Sequence, residues 1–458
     1  MKRNGLLFFI LLFSVSLFAG CKSQRVLDVN HPITLTLWHN YGGQMKETMD
    51  NMVDEFNETV GVENGIMLSV TSISSSSMLH DKLIMAANQD PGADTLPDIT
   101  TANPKTAIVL AEKGLLINFE DYFTTTELEA YVPRFIEEGR LNGSDLYLFP
   151  IAKSTEVLYL NKTIFDRFAQ DSDVRYADLR TFEGLAETAK LYHQWSDDQT
   201  PETLHDGKTF FHSDSLFNFT QVGCQQLGTD FIVDNNLKYT TPAFRHAWDT
   251  YYECAVKGYF SIYNGYATDL IKTGDIVCST GSTAGVLFFD SVVTYADNTT
   301  EPLELMIMPY PIYNGGKKIA IQRGGGMMIT KSEPAKEYAA SIFLKWFTEA
   351  ENNVHFVTST GYLPVEKAAF NVMSAISANY EDGNIKTLLT AIDEMQSQYD
   401  FYIPPLYDGI DALMKDYEAN LKQTVSESKK QYQELLTHMN STSAFMEASN
   451  GKFEEFIK

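Results

Sequence analysis

Apolar and polar positions change period repeatedly over the first part of the chain. Ile33-Thr34-Leu35-Thr36-Leu37 alternates, as a half-buried strand does, and Trp38 stands at its end. Gly42 and Gly43 mark a turn, after which Met45, Met49, Met52, Val53 and Phe56 recur at helical spacing, with Gly61 beyond the predicted helix end. This methionine stripe reads as core rather than as a metal or ligand set. The same logic predicts a strand over 66–73 that runs into the serines 74–77, a helix over 78–87, and a third strand over Leu96-Pro97-Asp98-Ile99. Asn103 is the cap of a further helix with Pro104 at its first position, and Gly114 closes it. Strand–helix alternation of this kind predicts a parallel sheet wrapped by helices. Such sheets bind ligands at the carboxyl ends of their strands, which here carry residues 38–41, 74–77 and 100–103.

The pattern breaks between Asp145 and Lys162. Two apolar runs, LYLFPIA and VLYL, flank the polar Lys153, Ser154, Thr155 and Glu156. Pro150 cannot donate to a ladder, so one continuous central strand through it is disfavoured. Two readings stay open on these residues: a strand that leaves one sheet and enters another, or two strands of one sheet joined by a polar loop. Beyond it, Thr181-Phe182-Glu183 starts a helix with Phe182, Leu185, Ala186 and Ala189 on one face, and 197–212 reads as a surface loop. A helix over 243–256 follows, then a short buried strand over 276–278 that enters the run STGSTAG, and a strand over 303–309. Gln322-Arg323-Gly324-Gly325-Gly326 leads into Met327 to Thr330. Pro334 then opens an amphipathic helix with Ala335, Tyr338, Ala339, Ile342, Phe343, Trp346 and Phe347 inward. Another crossing is predicted near Gly361-Tyr362-Leu363-Pro364, and the remainder reads as helical and acidic.

A chain of 458 residues exceeds one compact core and calls for two or more domains, which 44% hydrophobic residues can fill. The formal charge of −25 argues against nucleic acid or an anionic membrane surface as the main partner. Lys2 and Arg3 precede an apolar run from Leu6 to Phe18, too short to span a bilayer comfortably, so residues 1–20 read as a signal peptide. Leu17-Phe18-Ala19-Gly20-Cys21 resembles a lipobox, with Cys21 lipidated and 21–30 a polar tether; the other reading is an ordinary secretory signal with a chance cysteine. Cys224, Cys254 and Cys278 are odd in number and match no zinc spacing, so they read as small buried apolar residues. The nine histidines form no His-Glu-x-x-His arrangement, and no metal or cofactor is expected.

Pro150, Ser154-Thr155-Glu156, Leu158-Tyr159 and Asn161-Lys162 resemble the hinge strand of the family 1 extracellular solute-binding proteins of ABC importers. LTLWHNYGG, LPDI, TFEGLAETAKLY, TGDIVCSTGSTAG and the stretch from IAIQRGGGMMITKS to GYLPV resemble the same family in order, to about residue 425. The segment from about Gln423 departs from the family's usual ending. The resemblance implies an α/β fold of two lobes, each a mostly parallel sheet flanked by helices, joined by hinge crossings. It places 31–149 and 304–348 in the first lobe, and 150–303 and 349–458 in the second.

The resemblance further implies a ligand held between the lobes. Trp38, Asn40 and Tyr41 after the first strand, with Ser76, Asn103 and Tyr362, are candidates from the first lobe and the last crossing. The aromatic faces would stack on a sugar ring; core packing is the other reading for Trp38. Ser154, Thr155 and Glu156 suit polyol hydroxyls. Gly281-Ser282-Thr283 matches the family's second-lobe ligand loop, with Thr283 where many sugar binders carry an aromatic residue. Gly324 and Gly325 allow close backbone approach. Lys153 and Arg323 either clamp an anion or pair with Glu156 or a surface acid. The expected protein is a monomeric, lipid-anchored, non-enzymatic receptor that delivers a sugar or oligosaccharide to an ABC permease. A phosphorylated polyol such as glycerol phosphate is the alternative ligand, and a glycan hydrolase or an adhesin are the alternatives of another class.

Overall fold

The computed structural model describes residues 27–141, 143–203, 205–377, 383–407 and 409–458. The signal peptide and the Cys21 anchor lie outside the described residues.

The chain opens on β1 (Ile33–His39), and α1 (Gly43–Phe56) follows across the glycine turn. Met49, Met52, Val53 and Phe56 are buried against the first sheet, as their spacing requires. Gly61 does not end this helix. The chain continues through a wide turn at Asn57–Gly61 and a last turn at Val62–Asn64, and Gly65, at φ +68°, terminates it. β2 (Ile66–Ser72), α2 (Ser76–Asn88), β3 (Ile99–Ala102) and α3 (Pro104–Glu112) complete the alternation. The third strand starts later than predicted. Pro97 has no N–H for a ladder, and the Asp98 carboxylate accepts the Thr36 N–H at 2.9 Å instead.

The stretch from 145 to 162 crosses between sheets: β4 (Phe149–Pro150) is an edge of the first sheet, and β5 (Glu156–Asn161) lies inside the second. Pro150 is tolerated because it sits at an edge. α4 (Phe182–Asp197) follows, and the predicted loop ends in a strand, β6 (Phe211–Ser213), buried on both sides. Next come α5 (Leu216–Gln226), α6 (Pro242–Val256), β7 (Cys278–Ser282) and β8 (Leu305–Met308). β9 (Ile319–Ile321) pairs with the later β11 below, and β10 (Gly326–Ile329) returns to the first sheet. α7 (Pro334–Thr348) and α8 (Ala350–Thr358) cover that sheet. The chain then recrosses to α9 (Gly383–Gln398), β11 (Asp400–Tyr402), the long α10 (Ile410–Leu436), α11 (Ser441–Ala448) and α12 (Lys452–Phe456).

The first sheet has the order β2-β1-β3-β10-β4 and the second β8-β5-β7-β6. In each, one strand runs against the rest, β10 in the first and β5 in the second. Both start at a crossing and head away from it, whereas their neighbours run toward it. The strand ends that face the crossings are therefore His39, Ala102, Gly326 and Pro150 in one lobe, and Glu156, Ser282 and Ser213 in the other.

The lobe boundary differs from the expectation for 304–348. Leu305–Met308 pairs with β5, and Tyr310 and Tyr313 are buried in the second-lobe core, so the return to the first lobe comes only at 322–326. Likewise α8, expected in the second lobe, places Phe356 and Val357 in the first-lobe core. Hydrophobicity marks a strand, and its pairing partner decides the lobe. Cys224, Cys254 and Cys278 are buried free thiols, as expected of small apolar residues.

Candidate ligand cleft

Local sequence builds the first-lobe wall. Asn103 caps α3 through Oδ1, which accepts the Thr106 N–H and hydroxyl at 3.0 Å each. Ser75 caps α2, accepting the Met78 N–H at 3.1 Å, and so sets Ser76 on the first turn. With β1 and β3 side by side, Asn40, Tyr41, Ser76, Asn103, Gly325 and Tyr362 come together around a cavity of about 100 Å³. Thr101, Ala102, Ala152 and Gly326 complete its lining. The Tyr41 and Tyr362 rings meet edge to face at 6.3 Å, and the Thr101 hydroxyl donates to Asn40 Oδ1 at 3.1 Å. Burial raises both phenols above their ordinary range, so they remain neutral.

Trp38 is not part of this wall. It is buried in a core cluster with Leu79, Leu83 and Ala107, on the face covered by α2 and α3. The first sheet is covered on both faces, so both parities of β1 are buried near its end.

The polar hinge residues turn inward. Lys153, Ser154, Thr155 and Glu156 are all buried. Lys153 Nζ lies 3.1 Å from Glu138 Oε2; burial lowers the ammonium from its ordinary range, and Glu138 opposes that. Ser154 and Arg323 exchange backbone hydrogen bonds at 3.0 and 2.8 Å, and the Thr155 hydroxyl donates to the Ile321 carbonyl at 2.7 Å. These contacts tie the first crossing to the second. Gly324 lies against that pairing at φ +97°. Glu156 accepts Asn218 Nδ2 at 2.6 Å and Arg323 Nη1 at 3.1 Å. Its carboxyl is raised by burial, against the pull of Arg323 and Asn218. Each of the two cations thus has a carboxylate partner, Glu138 for Lys153 and Glu156 for Arg323.

The loop 281–283 lines neither cleft cavity. Asp214 lies over Gly281, where an added Cβ would come within 2.5 Å of Oδ2. Thr283 is fully buried, and the Tyr159 hydroxyl donates to the Ser282 and Thr283 carbonyls at 2.6 and 3.1 Å. The second lobe presents instead a cavity of about 180 Å³ lined by Ser215, Phe217, Asn218, Gln221, Ile321 and Arg323, with walls from Pro404, Ile410 and Met414. Of these only Arg323 was singled out in the sequence. The usable signal was the cap of α5, where Ser215 Oγ accepts the Asn218 N–H at 3.1 Å. A larger open cavity, about 440 Å³, lies on the outer face of the second lobe between α4, α6 and α11. None of its lining residues belongs to a crossing, and its lysines pair with its own acids, Lys190 with Glu187 at 3.0 Å and Lys257 with Glu253 at 2.5 Å.

Two sheets joined by three crossings, with one small cavity at the first sheet's strand ends and another beside Arg323 of the second crossing, are the architecture of a hinged two-lobed receptor. Residues 51–386 match the bacterial extracellular solute-binding proteins, and the chain belongs to that family. Solved structures of similar fold include a cyclic alpha-maltosyl-1,6-maltose binding protein from Arthrobacter globiformis, with TM-score 0.67 and 18% identity over 93% of this chain and 99% of that one. UgpB from Mycobacterium tuberculosis, in complex with glycerophosphocholine, has TM-score 0.65 and 18% identity over 93% and 98%. The ABC substrate-binding protein Lmo0181 from Listeria monocytogenes, in complex with cycloalternan, has TM-score 0.64 and 16% identity over 93% and 99%. At such identities the likeness is one of fold. No curated protein matches the chain. Membership of an extracellular family makes this an exported protein.

Proposed function

We propose that the protein captures a neutral saccharide between its lobes and hands it to an ABC permease, held at the membrane by lipid on Cys21. The observation that carries the ligand class is the first-lobe cavity: two neutral phenols, two carboxamides and hydroxyls, with no charged side chain among its lining residues. Rings and uncharged hydrogen-bonding groups are the complement of a sugar. Among the similar folds, one is named a cyclic alpha-maltosyl-1,6-maltose binding protein and another was solved in complex with cycloalternan. Closure follows from differential affinity: a ligand touching both lobes binds the closed form better and shifts the population toward it. Glu156 at the hinge is occupied by Asn218 and Arg323, and Glu138 beneath it by Lys153 and Gln322, which supports binding without turnover rather than a two-carboxylate hydrolase.

A phosphorylated polyol is the second reading, favoured by Arg323, whose side chain is 44% exposed, and by the fold's likeness to a glycerophosphocholine complex. Thermal-shift measurements against neutral sugars, oligosaccharides and phosphorylated polyols separate the two. At 100 times its dissociation constant a ligand adds about 2.7 kcal/mol of stability. A shift with a neutral class is expected. A shift confined to phosphorylated ligands, or release of shorter glycans during incubation, would sink the reading.

A further inference from the structure

Arg323 is the one charged side chain among the residues that line the two cavities. The other hinge cation, Lys153, is 1% exposed and faces Glu138. Whether the cleft admits an anion therefore turns on the surroundings of Arg323. Its side chain is 44% exposed, commits Nη1 to Glu156 at 3.1 Å and carries further N–H donors. Taken alone, an exposed guanidinium at a cavity suits a phosphate. It is not alone.

Carboxylates outnumber this cation. Glu156, 1% exposed, touches it and also accepts Asn218 Nδ2 at 2.6 Å. Asp214, just beyond β6, feels the charges of both Glu156 and Arg323. Burial pushes its carboxyl up to about 6, which leaves it mostly ionised at neutral pH. His212, whose Nε2 is 3.9 Å from Asp214 Oδ1, supplies no countercharge there, because burial, with Lys422 nearby, lowers its ring to about 4. Glu418 of α10 accepts the Ser215 hydroxyl and the Phe217 N–H at 2.9 Å each, and its charge reaches Glu156. None of these acids lines either cavity, so each acts on a solute only through the field around Arg323. A phosphate on the open face of Arg323 would meet one cation and, behind it, an excess of negative charge. A sugar hydroxyl accepts from the same N–H groups and meets no such repulsion. Repulsion set against the wrong ligand is one way a site discriminates.

Resting on the neutral-saccharide reading above, we propose that Glu156 and Asp214 determine specificity by charge: they cancel Arg323 and so bar phosphorylated solutes from the cleft. The test is calorimetric titration at neutral pH with glucose phosphate and glycerol phosphate, each beside its neutral counterpart, and with maltose. The parent protein is compared with Glu156→Gln, which keeps an acceptor for Asn218 and Arg323, and with Asp214→Asn, which keeps one for Ala267. In the parent the phosphorylated member of each pair is expected to bind more weakly than the neutral one. In Glu156→Gln the phosphorylated ligands are expected to bind about tenfold more tightly than in the parent, with a gain of the same sign in Asp214→Asn. Both gains shrink at high ionic strength. If Glu156→Gln fails to fold, Asp214→Asn decides. Folded variants with no gain, or with an equal gain for neutral glucose and glycerol, overturn the proposal and leave the saccharide reading standing. A parent protein that binds a phosphorylated ligand more tightly than its neutral counterpart and maltose overturns both.

Discussion

Lys153 and Glu138 face each other beneath the hinge, and both side chains are almost out of water. Gln322 also donates to Glu138, so the carboxylate serves two crossings. Removing one member of a buried pair strands the other and costs about 3–5 kcal/mol. Lys153→Met is therefore expected to lose about that much in urea unfolding, while Lys153→Met with Glu138→Leu recovers most of it. A loss below about 1 kcal/mol would mean that the pair behaves as a solvated one. Asp214 makes a pH prediction. Burial pushes its carboxyl up to about 6 from 3.8, Glu156 adds to this, and the Ala267 N–H opposes it. The native state then holds this proton more tightly than the unfolded chain. Its contribution is complete below about pH 3.8 and lost as the pH rises through about 6. Asp214→Asn cannot ionise and keeps an acceptor for Ala267. Its melting temperature relative to the parent is expected to rise between about pH 4.5 and pH 7.5; a constant difference would place Asp214 in solvent. The sequence offered Glu156 as one partner for Arg323, and that pair forms. Glu138 was not legible as the partner of Lys153, because the short helix Pro133–Glu138 reaches the hinge only through the fold.

At the scale of elements, the second crossing is a glycine run for a steric reason. A Cβ on Gly325 would sit 2.3 Å from the Ala102 carbonyl, and one on Gly326 would sit 2.3 Å from the Phe149 carbonyl. The backbone of the crossing lies directly against β3 and β4, and that contact shapes the first cavity. Gly325→Ala forces the strands apart and is expected to cost about 1–3 kcal/mol. Because Gly325 and Ala102 both line the cavity, ligand affinity should weaken in the same variant; unchanged stability in denaturant titration would show that the crossing can relax. The run QRGGG was readable as close-approaching backbone, and what it approaches was not. The Asn103-Pro104 cap formed as read, and the helix read as beginning at Thr181-Phe182-Glu183 does so with Thr181 as its cap, since each depends on residues within one turn.

Across the whole molecule, the C-terminal helices act as part of the second-lobe core. Phe456 is 6% exposed, with its ring 4.4 Å from that of Trp248 on α6, and Ala444 and Ala448 are fully packed. The Tyr432 and Ser441 hydroxyls join α10 to α11 at 2.8 Å. Phe456→Ala removes a buried ring near a chain end and is expected to cost about 3 kcal/mol, the lower part of the range for such truncations. Thermal unfolding checks this; a loss within about 0.5 kcal/mol would show that the last helix is frayed in solution. The acidic, helical character of 410–458 was legible, but the surface it covers was not.

The sequence by itself determined what local chemistry can specify. Strand–helix alternation, the caps, the break at Pro150 and the polar interval before β5 each follow from residues a few positions apart. Family-like order along the chain extended that reading to two lobes and a hinge. The tertiary structure decided the rest: the lobe that takes Leu305–Met308, the burial of Trp38, the carboxylates that face Lys153 and Arg323, and the cavity built from 215–221 and 404–414. Each of these rests on contact between segments distant in the chain, and a periodic pattern carries no record of which distant segment will lie opposite it.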